Sequence, residues 1–434
     1  MSGVLLVSGC AVATMDDAGT EHGEGWILVE DGRIAALGGG DPPAAPGARR
    51  LEAAGHLATP GLVNCHHHLS QRATRGLAQE EGLFGWLTAL YPLWARLDEE
   101  ATHEAALAAL SALAVSGCST STDHHYLFPP GAGDLLGASI RAAREVGMRF
   151  HPCRGSMDLG RSQGGLPPDE VVEDRDAILA ATEEAIDRWH DPSPGSMLRV
   201  AVAPCSPFSV TGELMRDAAE LARRRGVRLH THLAETPEEE EFCRERFGVR
   251  PVEYLDELGW LGPDVWLAHC VHLSPPEIAR LAAAGTAVAH CPSSNARLGA
   301  GIAPAADLLA AGAPVGLGVD GGASNEAGEL SVELRQALLA ARSRGGAAAM
   351  TVRGALALGT RGGARCLGRE DEIGSLEPGK LADIALWRVD GPGQAGIADP
   401  VAALVLGPPR PVAALLVGGR AVVEDGRPAT AVAA

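Results

Sequence analysis

Four short apolar runs in this sequence end in side chains that can grip a cation or move a proton. Pro60-Gly61-Leu62-Val63-Asn64-Cys65-His66-His67-His68 is the first. Side chains alternate along a strand, so His66 and His68 project the same way and one metal ion can take both. Arg228-Leu229-His230-Thr231-His232-Leu233-Ala234-Glu235 offers a second histidine pair with a carboxylate just beyond it. Trp266-Leu267-Ala268-His269-Cys270 brings another imidazole, and Pro314-Val315-Gly316-Leu317-Gly318-Val319-Asp320 ends in an aspartate. Any one such histidine is more often a hydrogen-bonded core residue than a ligand. Four runs finishing in His or Asp, where an apolar residue or Gly would normally close them, form a joint pattern. Three imidazoles and a carboxylate suit Zn2+ or Fe2+ and leave a coordination position for water.

For those ends to meet, the runs must be neighbouring strands pointing the same way. Residues 61–66, 118–123, 148–154, 198–204, 228–234, 265–270, 286–291 and 314–319 read as short apolar strands. Ala/Leu-rich helical stretches lie among or after them: Glu104–Val115, Glu170–Trp189, Thr211–Arg225, Pro276–Ala284 and Leu330–Ser343. The alternation predicts parallel βα units of an α/β fold. Eight strands close a (β/α)8 barrel of the TIM type, with its chemistry at the C-terminal strand ends. An open doubly wound sheet shows the same alternation and is the structural alternative. The flanks read differently. Val4–Val7, Trp26–Glu30 and Arg33–Leu37, then Leu381–Trp387, Val412–Val417 and Arg420–Glu424, are short β-like runs between Gly, Asp and Pro turn signals. Chain ends often lie close together. The expectation is a small β-sandwich domain from residues 1–58 plus 370–434 beside a barrel over 59–369.

The 434 residues are 46% hydrophobic and 21% charged, which supplies a large core and excludes disordered and fibrous classes. A net charge of −19 repels phosphate backbones and anionic membranes. Neither a nucleic-acid nor a membrane partner is expected. The run Met1-Ser2-Gly3-Val4-Leu5-Leu6-Val7 has no basic targeting region, and the expected location is cytoplasmic. Nine cysteines without a CxxC pair predict reduced core thiols. Gly316-Leu317-Gly318-Val319-Asp320-Gly321 satisfies GxGxxG, but it follows the last strand rather than the first and is set aside as a nucleotide site. Glu238-Glu239-Glu240-Glu241 reads as a solvated face at a helix start, where carboxylates oppose the dipole.

The run from Thr59 to His68, taken with His232-Leu233-Ala234-Glu235, Leu267-Ala268-His269-Cys270, Gly318-Val319-Asp320 and Leu376-Glu377-Pro378-Gly379-Lys380-Leu381-Ala382-Asp383, resembles the amidohydrolase superfamily. The likeness is to its cytosine/guanine-deaminase and triazine-hydrolase branch and covers nearly the whole chain. It implies the barrel with a β-sandwich from both termini, and one Zn2+ per subunit, or Fe2+, held by His66, His68, His232 and Asp320. A homo-oligomer is the habit of the family. Glu235, His269 and Asp320 match the catalytic positions of the branch. His269 and Asp320 would take the proton from water, and Glu235 would protonate a ring nitrogen as ammonia leaves. Dinuclear members bridge two metals with a carboxylated lysine at the end of the fourth strand. Here that strand reads Arg199-Val200-Ala201-Val202-Ala203-Pro204-Cys205, and the chain's single lysine, Lys380, lies beyond the barrel. One metal is the consequence.

The implied enzyme hydrolyses carbon–nitrogen bonds of cyclic amidines in a small heterocyclic substrate. Gln71, three residues after His68, matches a glutamine with which purine deaminases of this branch read the nitrogen edge. Trp86 lies in the aromatic-rich stretch Leu83–Trp94, which suits either an apolar wall over a flat heterocycle or an amphipathic helix packed on the barrel. Phe84-Gly85-Trp86-Leu87-Thr88, Cys153-Arg154-Gly155-Ser156-Met157, Gly164-Gly165-Leu166-Pro167-Pro168-Asp169 and Pro204-Cys205-Ser206-Pro207-Phe208-Ser209 look most like the members that deaminate 8-oxoguanine. Guanine-deaminating members place an arginine after the fourth strand. Cys205-Ser206-Pro207 stands there instead, which makes Cys205 a candidate substrate contact. The reaction implied first is 8-oxoguanine to urate plus ammonia. Alternatives are hydrolysis of a hydroxy- or chloro-triazine of the atrazine type, and deamination of guanine or another nucleobase. A structural homologue without activity is the remote alternative, and it would be expected to lack the ligands that are present here.

Overall fold

Gly61 joins two strands that belong to different sheets in the computed structural model, which describes residues 3–429. Before it, His56–Pro60 lies in a sheet built from both chain ends; after it, Leu62–Asn64 opens a barrel. A side chain does not fit at this joint, because a Cβ on Gly61 would stand 2.4 Å from the Ser119 hydroxyl.

The barrel strands follow in chain order: Leu62–Asn64, Cys118–His125, Arg149–Ser156, Ala201–Pro204, Leu229–Leu233, Val265–His269, Ala287–His290 and Val315–Leu317. Every neighbouring pair is parallel, and Leu317 pairs with Asn64 to close the ring. Closure excludes the open sheet. Each strand falls where the apolar runs place it, with ends shifted by at most three residues. Helix starts shift further where a cap decides them. Glu99–Val115 begins ahead of the expected Glu104 because the Asp98 carboxylate accepts from the Ala101 amide. Arg175–Trp189 begins after the expected Glu170, where Asp174 caps the amides of Asp176 and Ala177.

Small residues line the lower barrel interior, Cys153, Ala201, Ala203, Ala287 and Ala289 among them. They leave room for Trp266, fully buried, whose indole N–H donates to the Cys65 carbonyl at 2.9 Å and whose ring stacks on His230 at 4.4 Å. The polar ends of the strands stand on this floor.

The second sheet has nine strands. Its path runs Arg427–Pro428, Arg420–Glu424, Ala414–Val417, Ile384–Arg388, His56–Pro60, Leu5–Ala13, Glu21–Glu30 and Arg33–Gly39, with Arg49–Glu52 also pairing to Leu5–Ala13. The N- and C-terminal halves meet where His56–Pro60 lies antiparallel to Ile384–Arg388. Leu5, Val7, Val12, Ile27, Val29, Ile34, Ile384 and Leu386 pack together as its own core. All nine cysteines are free and buried, as expected. Among the described residues, no helix is long and apolar enough to cross a membrane.

One buried ion pair fastens the sheet to the barrel. Arg149, at the start of the third barrel strand, donates from Nε and Nη2 to the two oxygens of Asp383 at 2.9 and 3.0 Å, and both side chains are at most 3% exposed. Asp383 also accepts from the Gly418 amide at 2.7 Å, and Arg149 Nη1 donates to the carbonyls of Gly195 and Ser196. Removing one partner strands a buried charge. Asp383→Ala is therefore expected to lower stability by about 3–5 kcal/mol, read as a lower denaturation midpoint. The double replacement R149M/D383L should lose less; an equal or larger loss would show that the charges do not carry the effect.

Candidate active site

The residues singled out at the strand ends converge above Trp266. His66 and His68 leave the first strand, His232 ends the fifth, His269 ends the sixth and Asp320 follows the eighth. All are buried. The backbone is bent to deliver several of them: φ is 71° at His269, 63° at Asp320 and 52° at Ala234, just before Glu235. This left-handed region favours glycine and costs other residues about 1 kcal/mol or more each, so surrounding contacts must hold it.

Hydrogen bonds on the far side of each ring decide which nitrogen faces inward. His68 Nδ1 donates to the His124 carbonyl and His232 Nδ1 to the Cys205 carbonyl, both at 2.7 Å. A neutral imidazole has one N–H, so each Nε2 carries a bare lone pair. His66 reaches the same state through a relay. His230 Nδ1 donates to the Trp266 carbonyl at 2.8 Å, leaving its Nε2 to accept from His66 Nδ1 at 2.8 Å. Burial keeps these rings neutral, pushing His66 and His232 below the ordinary imidazole range and His68 down to about 3.

Among the described residues, the inward lone pairs meet no hydrogen-bond donor. His66 Nε2 is buried without a hydrogen-bond partner among the described residues. His68 Nε2 and His232 Nε2 face each other at 3.0 Å, an arrangement that repels when neither carries a proton. Asp320 Oδ1 lies 3.4 Å from Nε2 of both His66 and His68. Its other oxygen accepts from the hydroxyls of Ser294 and Ser324, and Oδ1 also accepts from the Gly321 amide at 2.8 Å. A buried carboxylate against two bare imidazole nitrogens, one of which faces a third, fits a divalent cation. Two overlapping groups have ligand atoms within 4.8 Å of one another: His66, His68, His124 and His232, and His66, His269 and Asp320.

Glu235 and His269 stand beside this cluster. His269 Nδ1 donates to Asn295 Oδ1 at 2.9 Å, which turns Nε2 toward Glu235 Oε2 at 3.6 Å. Burial pushes the Glu235 carboxyl up to about 7, and its Oε1 has no partner among the described residues. Burial also opposes charge on His269, but Glu235 and Asp320 outweigh it and raise the imidazole overall.

A narrow cavity opens over these groups, lined by His68, Gln71, Trp86, Cys205, Glu235 and Asp320 together with apolar walls. Leu83–Trp94 is a helix packed on the barrel, and its Leu83, Trp86, Leu87 and Tyr91 line the cavity. Trp86 is pinned by its indole N–H donating to the Ala323 carbonyl at 3.2 Å. Gln71 Nε2 donates to the Tyr126 hydroxyl at 3.2 Å. Tyr126 and Phe208 also line the cavity; Phe208 lies in a segment the sequence singled out, whereas Tyr126 was passed over.

One reading is corrected. Glu239 is not part of a solvated acidic face. It is fully buried, and its two oxygens accept from the amides of Ala234 at 2.8 Å and Glu235 at 2.9 Å. Pro237 starts the helix and places Glu239 on the third helical position, where a carboxylate reaches back over the preceding loop. That position after a proline was the available signal.

With this geometry, residues 57–422 match the model of the amidohydrolase family. The chain is 51% identical to the 8-oxoguanine deaminase of Pseudomonas aeruginosa over 405 residues, 93% of this chain and 90% of that one. It is 39% identical to an isoxanthopterin deaminase from an unknown prokaryotic organism over 434 residues, covering 95% and 89% of the two chains. The crystal structure of atrazine chlorohydrolase from Arthrobacter aurescens TC1 complexed with zinc superposes with a TM-score of 0.93 at 36% identity, covering 98% of this chain and 97% of that one. On sequence and fold together, this chain belongs to the amidohydrolase family.

Proposed function

We propose that the protein is a zinc-dependent aminohydrolase that converts 8-oxoguanine and water to urate and ammonia. The observation that carries the chemistry is the set of three inward, unprotonated imidazole nitrogens, two of them 3.4 Å from Asp320, beside the Glu235–His269 pair. The 51% identity to an 8-oxoguanine deaminase supports the substrate. His66, His68, His232 and Asp320 would hold one zinc ion, the metal in the related atrazine chlorohydrolase structure. When bound, such an ion acts as a Lewis acid that brings water toward deprotonation near neutral pH.

The protein's own groups do the rest. His269, fixed by Asn295, and Asp320 are placed to draw a proton from water as its oxygen adds to the ring carbon bearing the amino group. Glu235 carries a proton near neutral pH because it is buried, and it can pass that proton to the adjacent ring nitrogen. The carbon–nitrogen bond then breaks: the amino group leaves as ammonia after gaining the proton drawn from water, and the added hydroxyl gives its remaining proton to Glu235 as it becomes the carbonyl of urate. Trp86 offers an apolar face to a flat ring, while Gln71, steadied by Tyr126, and Cys205 contact its polar edge. The cavity is narrow, about 30 Å³ in this conformation. Assembly as a homo-oligomer and a cytoplasmic location belong to the same reading.

Zinc-loaded protein should release ammonia from 8-oxoguanine far faster than from guanine, adenine or cytosine. Turnover of a triazine with 8-oxoguanine left inert would overturn the substrate assignment. Glu235→Gln is expected to cut kcat roughly a hundredfold to ten-thousandfold while elemental analysis finds the zinc content unchanged; full activity would remove Glu235 from the proton path. Glu239→Ala leaves two buried amides without acceptors, a cost of about 1–3 kcal/mol. Its kcat should drop with zinc retained, and an unchanged kcat would mean that Glu239 does not position Glu235.

A further inference from the structure

A cavity of about 350 Å³ lies between the helix Leu330–Gly345 and the segment that follows the strand Ile384–Arg388. It shares no lining residue with the cavity above His66 and Asp320. Its size falls within the range of small-molecule sites.

The charge of its lining is unusual for this chain. Fifty-five carboxylates give the protein a net charge of −19, yet no Asp or Glu lines the cavity and three arginines do: Arg335, Arg388 and Arg410. Arg388 is paired with Asp390 at 2.8 Å. Arg335 and Arg410 make no ion pair or side-chain hydrogen bond among the described residues. The Arg410 guanidinium lies against Gly391 and Gly393, where a Cβ would stand 2.3 and 3.3 Å from its nitrogens, so two glycines make its seat.

Two buried lining residues are also unsatisfied. Gln394 is 4% exposed and donates from Nε2 to the Pro408 carbonyl, but its Oε1 has no partner. Ser331 is 8% exposed and its hydroxyl has no partner. Ser331, Arg335 and Leu339 stand one turn apart along the flank of the sixteen-residue helix Leu330–Gly345, which forms one side of the cavity. The remaining wall is apolar, with Leu339, Trp387, Pro408 and Pro411.

We propose that this cavity is a binding site for a phosphomonoester with a flat or apolar body. Two unpaired guanidinium groups match a dianionic phosphate, which takes paired N–H donors from each. The Ser331 hydroxyl and Gln394 supply neutral polar contacts, and the Trp387–proline wall receives the organic part. The site is independent of the deamination chemistry.

Isothermal titration of the zinc-loaded protein with guanosine 5′-monophosphate as probe tests this. One equivalent is expected to bind, with affinity falling as salt rises, and to bind equally to Glu235→Gln. The double variant R335A/R410A should weaken binding about tenfold or more while ammonia release stays at the wild-type rate, which also shows that the variant is folded. Guanosine, lacking the phosphate, should not bind at this site. Absence of binding, binding unchanged in R335A/R410A, or displacement of the nucleotide by 8-oxoguanine would each overturn the proposal.

Discussion

The site depends on where three imidazole protons sit. Each ring at the barrel mouth can offer only one bare nitrogen, and its other nitrogen is engaged from behind by a backbone carbonyl or, for His66, by a second histidine that is itself engaged by one. A carbonyl can only accept, so it settles the tautomer without competing for the ring's inner face. Were these rings free to rotate or protonate, burial would favour satisfying their lone pairs within the protein, and a cation would have to break those bonds before binding. The arrangement instead leaves unmet acceptors in the interior, an expense offset only by what fills the gap.

Support for those carbonyls comes from the barrel itself. The Cys205 carbonyl belongs to the residue following the fourth strand, and the Trp266 carbonyl lies within the sixth. Parallel pairing fixes each relative to its neighbour, so the rings are aligned by strand register more than by local contacts. The left-handed turns at Ala234, His269 and Asp320 then aim the last side chains inward, and Glu239 closes over the loop at Ala234 and Glu235. On the other flank, Asp320 is tied through Ser294 and Ser324, while Asn325 donates both to the Val319 carbonyl and to the buried Glu333 of the helix Leu330–Gly345.

How much of this was legible in the sequence follows from what a residue type can signal. His66, His68, His232, His269 and Asp320 stood out because polar side chains interrupt apolar runs, and those runs located all eight barrel strands. Backbone carbonyls carry no residue identity, so the tautomer-setting bonds were invisible. His56–Pro60 and Arg49–Glu52 were passed over as strands because neither is a β-branched run; the first earns its pairing from a neighbour on each side, and the second is a charged edge. Glu239 was hidden by composition, since one buried carboxylate in a row of four looks like the exposed ones beside it. Tyr126 lies just past the second strand, and the parallel pairing of the first two strands brings it to Gln71.

The joint at Gly61 has a wider meaning. A single glycine separates the strand that welds the two chain ends together from the one that leads to His66 and His68, with its amide donating to the Asp383 carbonyl at 2.9 Å. The flanking sheet is therefore no detachable accessory. It is the anchorage from which His66 and His68 are hung, so the geometry at the barrel mouth begins in a strand shared by both ends of the chain.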